Sequence, residues 1–127
     1  MKGFSFFEIL IVLVIMGIFT SFAIPIYTQH MTKSHRLEAE ITLKKIASAL
    51  EEFYITHQSY EGATLPTLGF DSSTTYTFQL AANEVEYQLS AIPLGPQAAK
   101  DEPCGTLTLN SMGEISMTGH GDIKECW

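Results

Sequence analysis

The stretch FSFFEILIVLVIMGIFTSFAI, residues 4–24, decides the architecture of this chain. It contains one charged residue, Glu8, and residues 9–24 contain none. A helix of this length crosses the hydrocarbon core of a bilayer, because it rises about 1.5 Å per residue. The stretch therefore predicts a membrane-spanning helix. The basic residue before it, Lys2, orients the short N-terminus towards the cytoplasm.

An N-terminal apolar segment has two ordinary explanations. A secretory signal peptide ends in a small-x-small cleavage site, and Ser21–Ala23 fits that pattern. A plain membrane anchor for an exported domain is the other. Neither explanation uses Glu8, although a carboxylate costs roughly 2.5–3.5 kcal/mol at the centre of a spanning helix and less near an interface. The presence of Glu8 therefore indicates that its carboxylate has a partner, and an amine is a natural one. Cleavage between Gly3 and Phe4 would free an α-amino group on Phe4, one helical turn from Glu8.

Beyond Pro25 the apolar residues recur at helical spacing. The stripe consists of Leu43, Ile46, Ala47, Leu50, Phe53, Tyr54 and His57. The opposite face carries Lys44, Lys45, Ser48, Glu51 and Glu52. The pattern predicts that residues 25–57 form the amphipathic half of the same helix, that His57 ends it, and that the apolar stripe packs on a sheet. We expect His30 and His35 to face solvent or neighbouring subunits.

Residues 58–127 predict a β-sheet head. Residues 58–73 are rich in turn formers and predict a loop. Alternation of apolar residues then predicts strands at Thr75–Leu80, Val85–Ile92, Gly105–Leu109 and Glu114–Met117. In the second strand, Val85, Tyr87, Leu89 and Ala91 should share the inner face. Because the links are short, the fold class is α+β, a long helix packed on a four-stranded antiparallel meander.

The chain has two cysteines, Cys104 and Cys126, and both follow the apolar segment. Export would carry both into an oxidising compartment, where an even count predicts one disulfide. Free thiols are the alternative. Histidine does not occur at metal-ligand spacing from either cysteine, so we predict no metal site and no cofactor.

The head is acidic. Residues 58–127 contain nine acidic residues and two basic ones, Lys100 and Lys124, which gives a net charge of −7. A surface of this sign repels nucleic acid phosphates and anionic lipid headgroups, so charge argues against nucleic acid as a partner. The head also has no nucleophile–base motif and no glycine-rich phosphate loop, so we predict that the chain is not an enzyme.

The N-terminal motif, Gly3-Phe4 followed by Glu8 as the fifth residue after the cut and an unbroken apolar helix, closely resembles the class III signal of type IV pilins and pseudopilins. The resemblance implies a leader at residues 1–3, cleavage after Gly3 by a prepilin peptidase, and N-methylation of Phe4. It also implies that Glu8 meets the Phe4 amine of another subunit during assembly. The helix between Gly17 and Pro25 resembles the region that loses helicity in pilin fibres, and residues 58–73 resemble the αβ-loop.

The C-terminal half carries a second resemblance. Residues 91–93, Gln97, Asp101 and Cys104–Leu109, closing at Cys126-Trp127, resemble PilE-like minor pilins. The resemblance implies a type IV pilin fold and a structural subunit of a fibre for adhesion, motility or DNA uptake. It implies other pilins, an inner-membrane assembly platform and membrane lipid as partners. Before assembly the head would lie in the periplasm, and afterwards outside the cell. A type II secretion pseudopilin and a DNA-capturing competence pilin are the alternatives.

Overall fold

A computed structural model describes residues 2–127. The described residues form four helices and one four-stranded sheet in the order α1 (Phe6–His57), α2 (Leu65–Leu68), β1 (Tyr76–Ala82), β2 (Tyr87–Pro93), α3 (Gly95–Lys100), β3 (Leu107–Asn110), β4 (Ile115–Met117) and α4 (Ile123–Cys126). The chain divides into two compact units after Met31. The second unit, Thr32–Trp127, is the head together with the part of α1 on which it packs.

Helix α1 is 52 residues long and passes through Pro25 without a break. Its first half exposes apolar side chains on every side, and its second half buries one stripe that includes Leu43, Ile46 and Leu50. The helix ends at His57, as predicted. The next residue, Gln58, takes the left-handed conformation with φ 57°, and its N–H donates to the Tyr54 carbonyl at 2.7 Å.

The sheet is an antiparallel meander in the order β1-β2-β3-β4, which confirms the predicted topology. Its inner face contributes most of the core that packs on α1: Tyr76, Phe78, Tyr87, Leu89, Ala91, Leu107 and Leu109. Its outer face carries a continuous polar row, because Gln79 pairs with Ser90, Ser90 with Thr108, and Thr108 with Ser116. One face is therefore buried and the other is solvated, as antiparallel sheets commonly are.

The prediction for the start of the second strand is wrong. Val85 lies in the turn and is 67% exposed, and β2 begins at Tyr87. The Asn83 side chain explains the difference, because its oxygen accepts hydrogen bonds from the N–H groups of Val85 and Glu86 at 2.9 and 2.8 Å. Such an Asx turn competes with the strand for backbone donors, so the turn occupies residues that alternation assigns to the strand.

The structure also differs from the prediction in the loops. The predicted loop 58–73 contains the single-turn helix α2, which Thr64 caps at its N-terminus. Helices α3 and α4 lie where no helix was predicted. His35 does not face solvent freely, since it is half-buried and its Nδ1 lies 3.3 Å from the Gln97 side-chain oxygen.

Candidate functional site

The first half of α1 is the candidate assembly segment. Its large apolar side chains are exposed around the whole circumference, from Phe6 (78%) to Phe22 (66%). Among residues 2–127, α1 is the helix long and apolar enough to cross a bilayer, with a mean hydropathy of 2.7 over its most apolar window. A helix that is apolar all round is stable in lipid or inside a bundle of other helices, not in water.

Glu8 lies in the first turn of α1 and already has a hydrogen-bond partner in its own chain. The Ser5 N–H donates to a Glu8 carboxylate oxygen at 2.9 Å, and the Ser5 carbonyl accepts from the Glu8 N–H at 3.0 Å. This arrangement is half of a capping box, in which the side chain of the third helical residue accepts a hydrogen bond from the backbone N–H of the residue that precedes the helix. The carboxylate thus faces the backbone next to Phe4, where cleavage after Gly3 would create the new amine.

The predicted cleavage residues lie outside the helix. Gly3 and Phe4 precede α1, and Phe4 is 86% exposed. The other two predicted assembly residues, Gly17 and Pro25, lie within the helix, and a methyl group at Gly17 would meet nothing within 4 Å. Local loss of helicity between these two residues stays a prediction.

A buried ion pair joins α1 to the far end of the head sequence. The Arg36 guanidinium contacts the Asp101 carboxylate, and the two side chains are 11% and 4% exposed. The second Asp101 oxygen accepts from the Tyr76 hydroxyl at 3.1 Å. Arg36 also donates to the Glu125 carbonyl at 3.2 Å. One carboxylate therefore links the helix, the first strand and, through Arg36, the C-terminal segment.

Gln97 completes this polar network. Its amide nitrogen donates to the Thr32 carbonyl at 3.0 Å and to the Tyr76 hydroxyl at 3.1 Å. Among the described residues, no buried side-chain nitrogen or oxygen lacks a hydrogen-bond partner. Burial, together with the negative charge of Asp101, raises the pKa of Tyr76 to about 12, although the Gln97 hydrogen bond acts in the opposite direction. Tyr76 is therefore neutral at physiological pH and serves as a donor to Asp101.

The disulfide closes the C-terminal segment. Cys104 and Cys126 are joined, with Cα atoms 5.5 Å apart. Within the loop, the Gly119 N–H donates to the Cys104 carbonyl at 3.1 Å and the Gly121 N–H to the Pro103 carbonyl at 2.8 Å. A methyl group on Gly119 would overlap the Pro103 carbonyl, so only glycine permits this close approach.

Cys104→Ser is expected to destabilise the head by about 3 kcal/mol, because the bridge closes a loop across 22 positions and constrains the unfolded chain. Thermal unfolding of the full chain in detergent, followed by near-ultraviolet circular dichroism, measures the change. The double variant Cys104→Ser/Cys126→Ser is the matched control and should melt like the single variant. An unchanged melting temperature under oxidising conditions would contradict a stabilising bridge.

Comparison with known proteins assigns this chain to a family. The sequence profile of the family described as "Type IV minor pilin ComP, DNA uptake sequence receptor" matches residues 25–108, which is more than half of the chain. The chain belongs to this family of type IV minor pilins. The predicted membership of the type IV pilin family is thereby confirmed, on residues that lie outside the N-terminal motif.

Known proteins that are similar to this minor pilin are a fimbrial protein and type IV pilins. A fimbrial protein of Neisseria meningitidis serogroup B (strain ATCC BAA-335 / MC58) is 33% identical over 61 residues, which are 48% of this chain and only 36% of that protein. The crystal structure of the N. meningitidis non-core minor pilin PilV superposes with a TM-score of 0.58 at 24% identity, covering 71% of this chain and 89% of PilV. That likeness supports the fold alone.

A second solved structure, a type IV pilin from Shewanella oneidensis, superposes with a TM-score of 0.58 at 26% identity and covers 76% of this minor pilin and 97% of that chain. The predicted fold class, a long N-terminal helix on a four-stranded antiparallel sheet, is therefore confirmed as the pilin fold.

Sequence reasoning missed the roles of Arg36, His35 and Tyr76 in the head of this minor pilin. Gln97 and Asp101 were singled out only through the family resemblance. Arg36 and Asp101 are 65 positions apart, and helical periodicity places Arg36 at the margin of the apolar stripe without naming a partner. A signal was nevertheless present, because an arginine that close to a core face must find a carboxylate or lie in water.

Proposed function

We propose that this minor pilin is a structural subunit of a type IV pilus, stored in the inner membrane through residues 4–24 and drawn into the fibre by the same helix. The observation that carries the proposal is the first half of α1, which exposes apolar side chains all round and bears one carboxylate, Glu8. Assembly exchanges lipid contacts for contacts with the helices of other pilins. The chain has no catalytic task in this scheme.

We infer that maturation prepares the helix for this exchange. A prepilin peptidase cuts between Gly3 and Phe4, which lie outside α1, and the Phe4 amine is then methylated. Glu8 of one subunit pairs with the Phe4 amine of its neighbour, on the assembly platform in the inner membrane. An unpaired charge is costly among apolar helices, so only the register that pairs Glu8 is stable. The hydrogen bond from Ser5 keeps the carboxylate satisfied until that partner arrives.

Intact mass and N-terminal sequencing of protein from sheared fibres test the proposal. The expected product begins at a methylated Phe4 and carries the Cys104–Cys126 bridge. Protein from the membrane fraction of a strain without the peptidase, which should retain residues 1–3, is the control. A mature chain that began at Ile24, or absence of the chain from fibres in which other pilins are found, would overturn the pilus role.

The family description favours DNA capture as a second candidate function. One groove of the head supports it, because Lys33 and Lys124 line this groove together with Trp127, beside the ion-paired Arg36. Basic side chains that contact phosphates and an aromatic ring that contacts bases are common features of DNA-binding surfaces. Glu40 and Glu125 also line the groove, however, and the head is acidic elsewhere.

Retardation of duplex DNA by the full chain in detergent at physiological salt tests DNA capture. If the groove binds DNA, Lys33→Glu/Lys124→Glu should weaken binding at least about tenfold, since each charge reversal replaces a phosphate contact by repulsion. Lys44→Glu/Lys45→Glu makes the same charge change on the exposed face of α1 and should have a smaller effect. Absence of retardation by the unchanged chain would exclude this candidate.

A further inference from the structure

The outer, solvated face of the sheet carries two adjoining hollows at its hairpin end. One hollow, of 370 Å³, lies between the β1–β2 turn and the β3–β4 turn, and the other, of 630 Å³, lies over the β3–β4 hairpin. Gln88 and Asn110 line both hollows, so the two form one groove, which we call the outer groove. Ala81 pairs with Gln88, and Gln88 pairs with Asn110. Neighbouring strands lie about 4.8 Å apart, so this row of three residues is about 10 Å long.

Neutral polar side chains line most of the outer groove. Its amides and hydroxyls belong to Asn83, Gln88, Thr108, Asn110, Ser111 and Ser116. Its charged residues are Glu86 and Glu114, one in each turn, and none of the described residues that line it is basic. Negative charge repels phosphate, sulfate and sialic acid. The described chain also has no acidic or histidine cluster that could hold a metal ion. The groove therefore fits an uncharged polar ligand.

The β1–β2 side of the outer groove presents hydrogen-bond donors that are free and held in place. The Asn83 side-chain oxygen accepts from the N–H groups of Val85 and Glu86, which fixes the plane of the amide. Within residues 2–127, neither the Asn83 amide nitrogen nor the Gln88 side chain has a hydrogen-bond partner. Each NH₂ group has two donors, so these two amides can donate to a ligand without breaking a bond in the protein.

The β3–β4 side of the outer groove presents an oriented acceptor. The Asn110 side-chain oxygen accepts from the N–H groups of Met112 and Glu114 at 3.1 and 2.9 Å, and its nitrogen donates to one Glu114 carboxylate oxygen at 2.7 Å. The second Glu114 oxygen has no partner in the described part of the chain, so it can accept from a ligand. Met112 and Ile115, which are 76% and 42% exposed, supply apolar area beside this acceptor.

We propose that the outer groove binds an uncharged oligosaccharide. A sugar hydroxyl both donates and accepts, so it can accept from the Asn83 and Gln88 amides and donate to the Glu114 carboxylate. The apolar C–H faces of the sugar rings then contact Met112 and Ile115. A few fixed polar groups beside apolar area are what orient a small ligand in a site, and the row of side chains matches about two linked pyranose rings in length. The proposal goes beyond the pilus role and does not depend on it, because the groove belongs to the head alone.

Nuclear magnetic resonance titration of the ¹⁵N-labelled full chain tests the proposal, in a detergent without a sugar headgroup. The probes are three uncharged tetrasaccharides, maltotetraose, chitotetraose and lacto-N-neotetraose, together with the sialylated form of the last. We expect at least one uncharged probe to shift the side-chain amide signals of Asn83 and Gln88, with a Kd of about 1 mM or tighter. Sialylation should weaken binding at least about fivefold, because it adds a negative charge.

Two variants and one control locate the site. Asn83→Asp keeps the oxygen that holds the turn and removes the NH₂ group, and Gln88→Ala removes the whole amide. Each should weaken binding at least about fivefold. Gln79→Ala makes the same truncation as Gln88→Ala, on the same face of the sheet but in the next row and outside the groove, so its Kd should change less than about twofold.

Three results would overturn the proposal. The first is the absence of shifts with all three uncharged probes. The second is binding of the sialylated probe as tight as that of its uncharged form. The third is an equal loss of binding in Gln79→Ala and Gln88→Ala, which would place the contact elsewhere on the sheet. Because all three side chains are exposed, the variants should retain the backbone spectrum of the unchanged chain.

Discussion

Asp101→Asn is expected to destabilise the head by about 3–5 kcal/mol, because it leaves the Arg36 guanidinium buried without a counter-charge. The loss exceeds that of one hydrogen bond. One oxygen of the Asp101 carboxylate accepts a hydrogen bond from Tyr76, and the other accepts from Arg36. An asparagine side chain has a single oxygen, so it cannot replace both acceptors. A typical domain is stable by only 5–15 kcal/mol, so the variant should be near the limit of folding at growth temperature.

Chemical unfolding of the full chain in detergent, followed by near-ultraviolet circular dichroism, measures this loss. Asp71→Asn is the matched control, since it makes the same chemical change at an exposed position and should shift stability by less than about 0.5 kcal/mol. Arg36→Met combined with Asp101→Asn should recover part of the loss, because it removes the orphaned charge. A loss below about 1 kcal/mol for Asp101→Asn would show that water or another acid replaces the carboxylate.

Glu8→Val is expected to leave the chain in the membrane and to remove it from fibres. Loss of the carboxylate makes the helix easier to insert into lipid, so the membrane level should not fall. In the proposed register, the neighbour's Phe4 amine would then lack its partner among apolar helices, a cost of about 3 kcal/mol or more that would lower incorporation roughly a hundredfold. Quantitative immunoblots of the sheared-fibre and membrane fractions give the ratio.

Two further variants separate the possible roles of Glu8. Glu8→Gln retains an acceptor for the Ser5 N–H but has no charge, so its exclusion from fibres would assign the effect to the ion pair rather than to helix capping. Thr20→Val is a control within the same segment, because the Thr20 hydroxyl donates to the carbonyl of Met16 one turn earlier. Normal incorporation of Glu8→Val would refute the pairing role.

The elements with a strong period were predictable, and those that depend on a distant partner were not. The stripe from Leu43 to Tyr54 predicts which face of α1 is buried, and alternation in Tyr76–Leu80 and Tyr87–Ala91 predicts the inner face of the sheet. The short helices were not predicted from the sequence, because each depends on a local sequence signal that is also common in loops. Helix α3 begins at Gly95-Pro96, where proline in the first turn favours a helix start, yet the pair equally suggests a turn.

The residues of the candidate site also differ in whether the sequence alone predicts them. Glu8 and the predicted cleavage residues form a linear motif, so sequence alone points to them. The pair between Arg36 and Asp101 does not, because their contact exists only after the head has folded on α1.

The C-terminal segment has a consequence for solubility. Strand β4 is three residues long and lies at an edge of the sheet, where unpaired backbone groups invite pairing with another sheet. Trp127 covers part of this edge, because its indole N–H donates to the Ser116 carbonyl at 3.0 Å. Chains that wait side by side in a membrane are at high local concentration. Loss of the indole, as in Trp127→Ala, would therefore uncover a β-edge and favour aggregation of the heads.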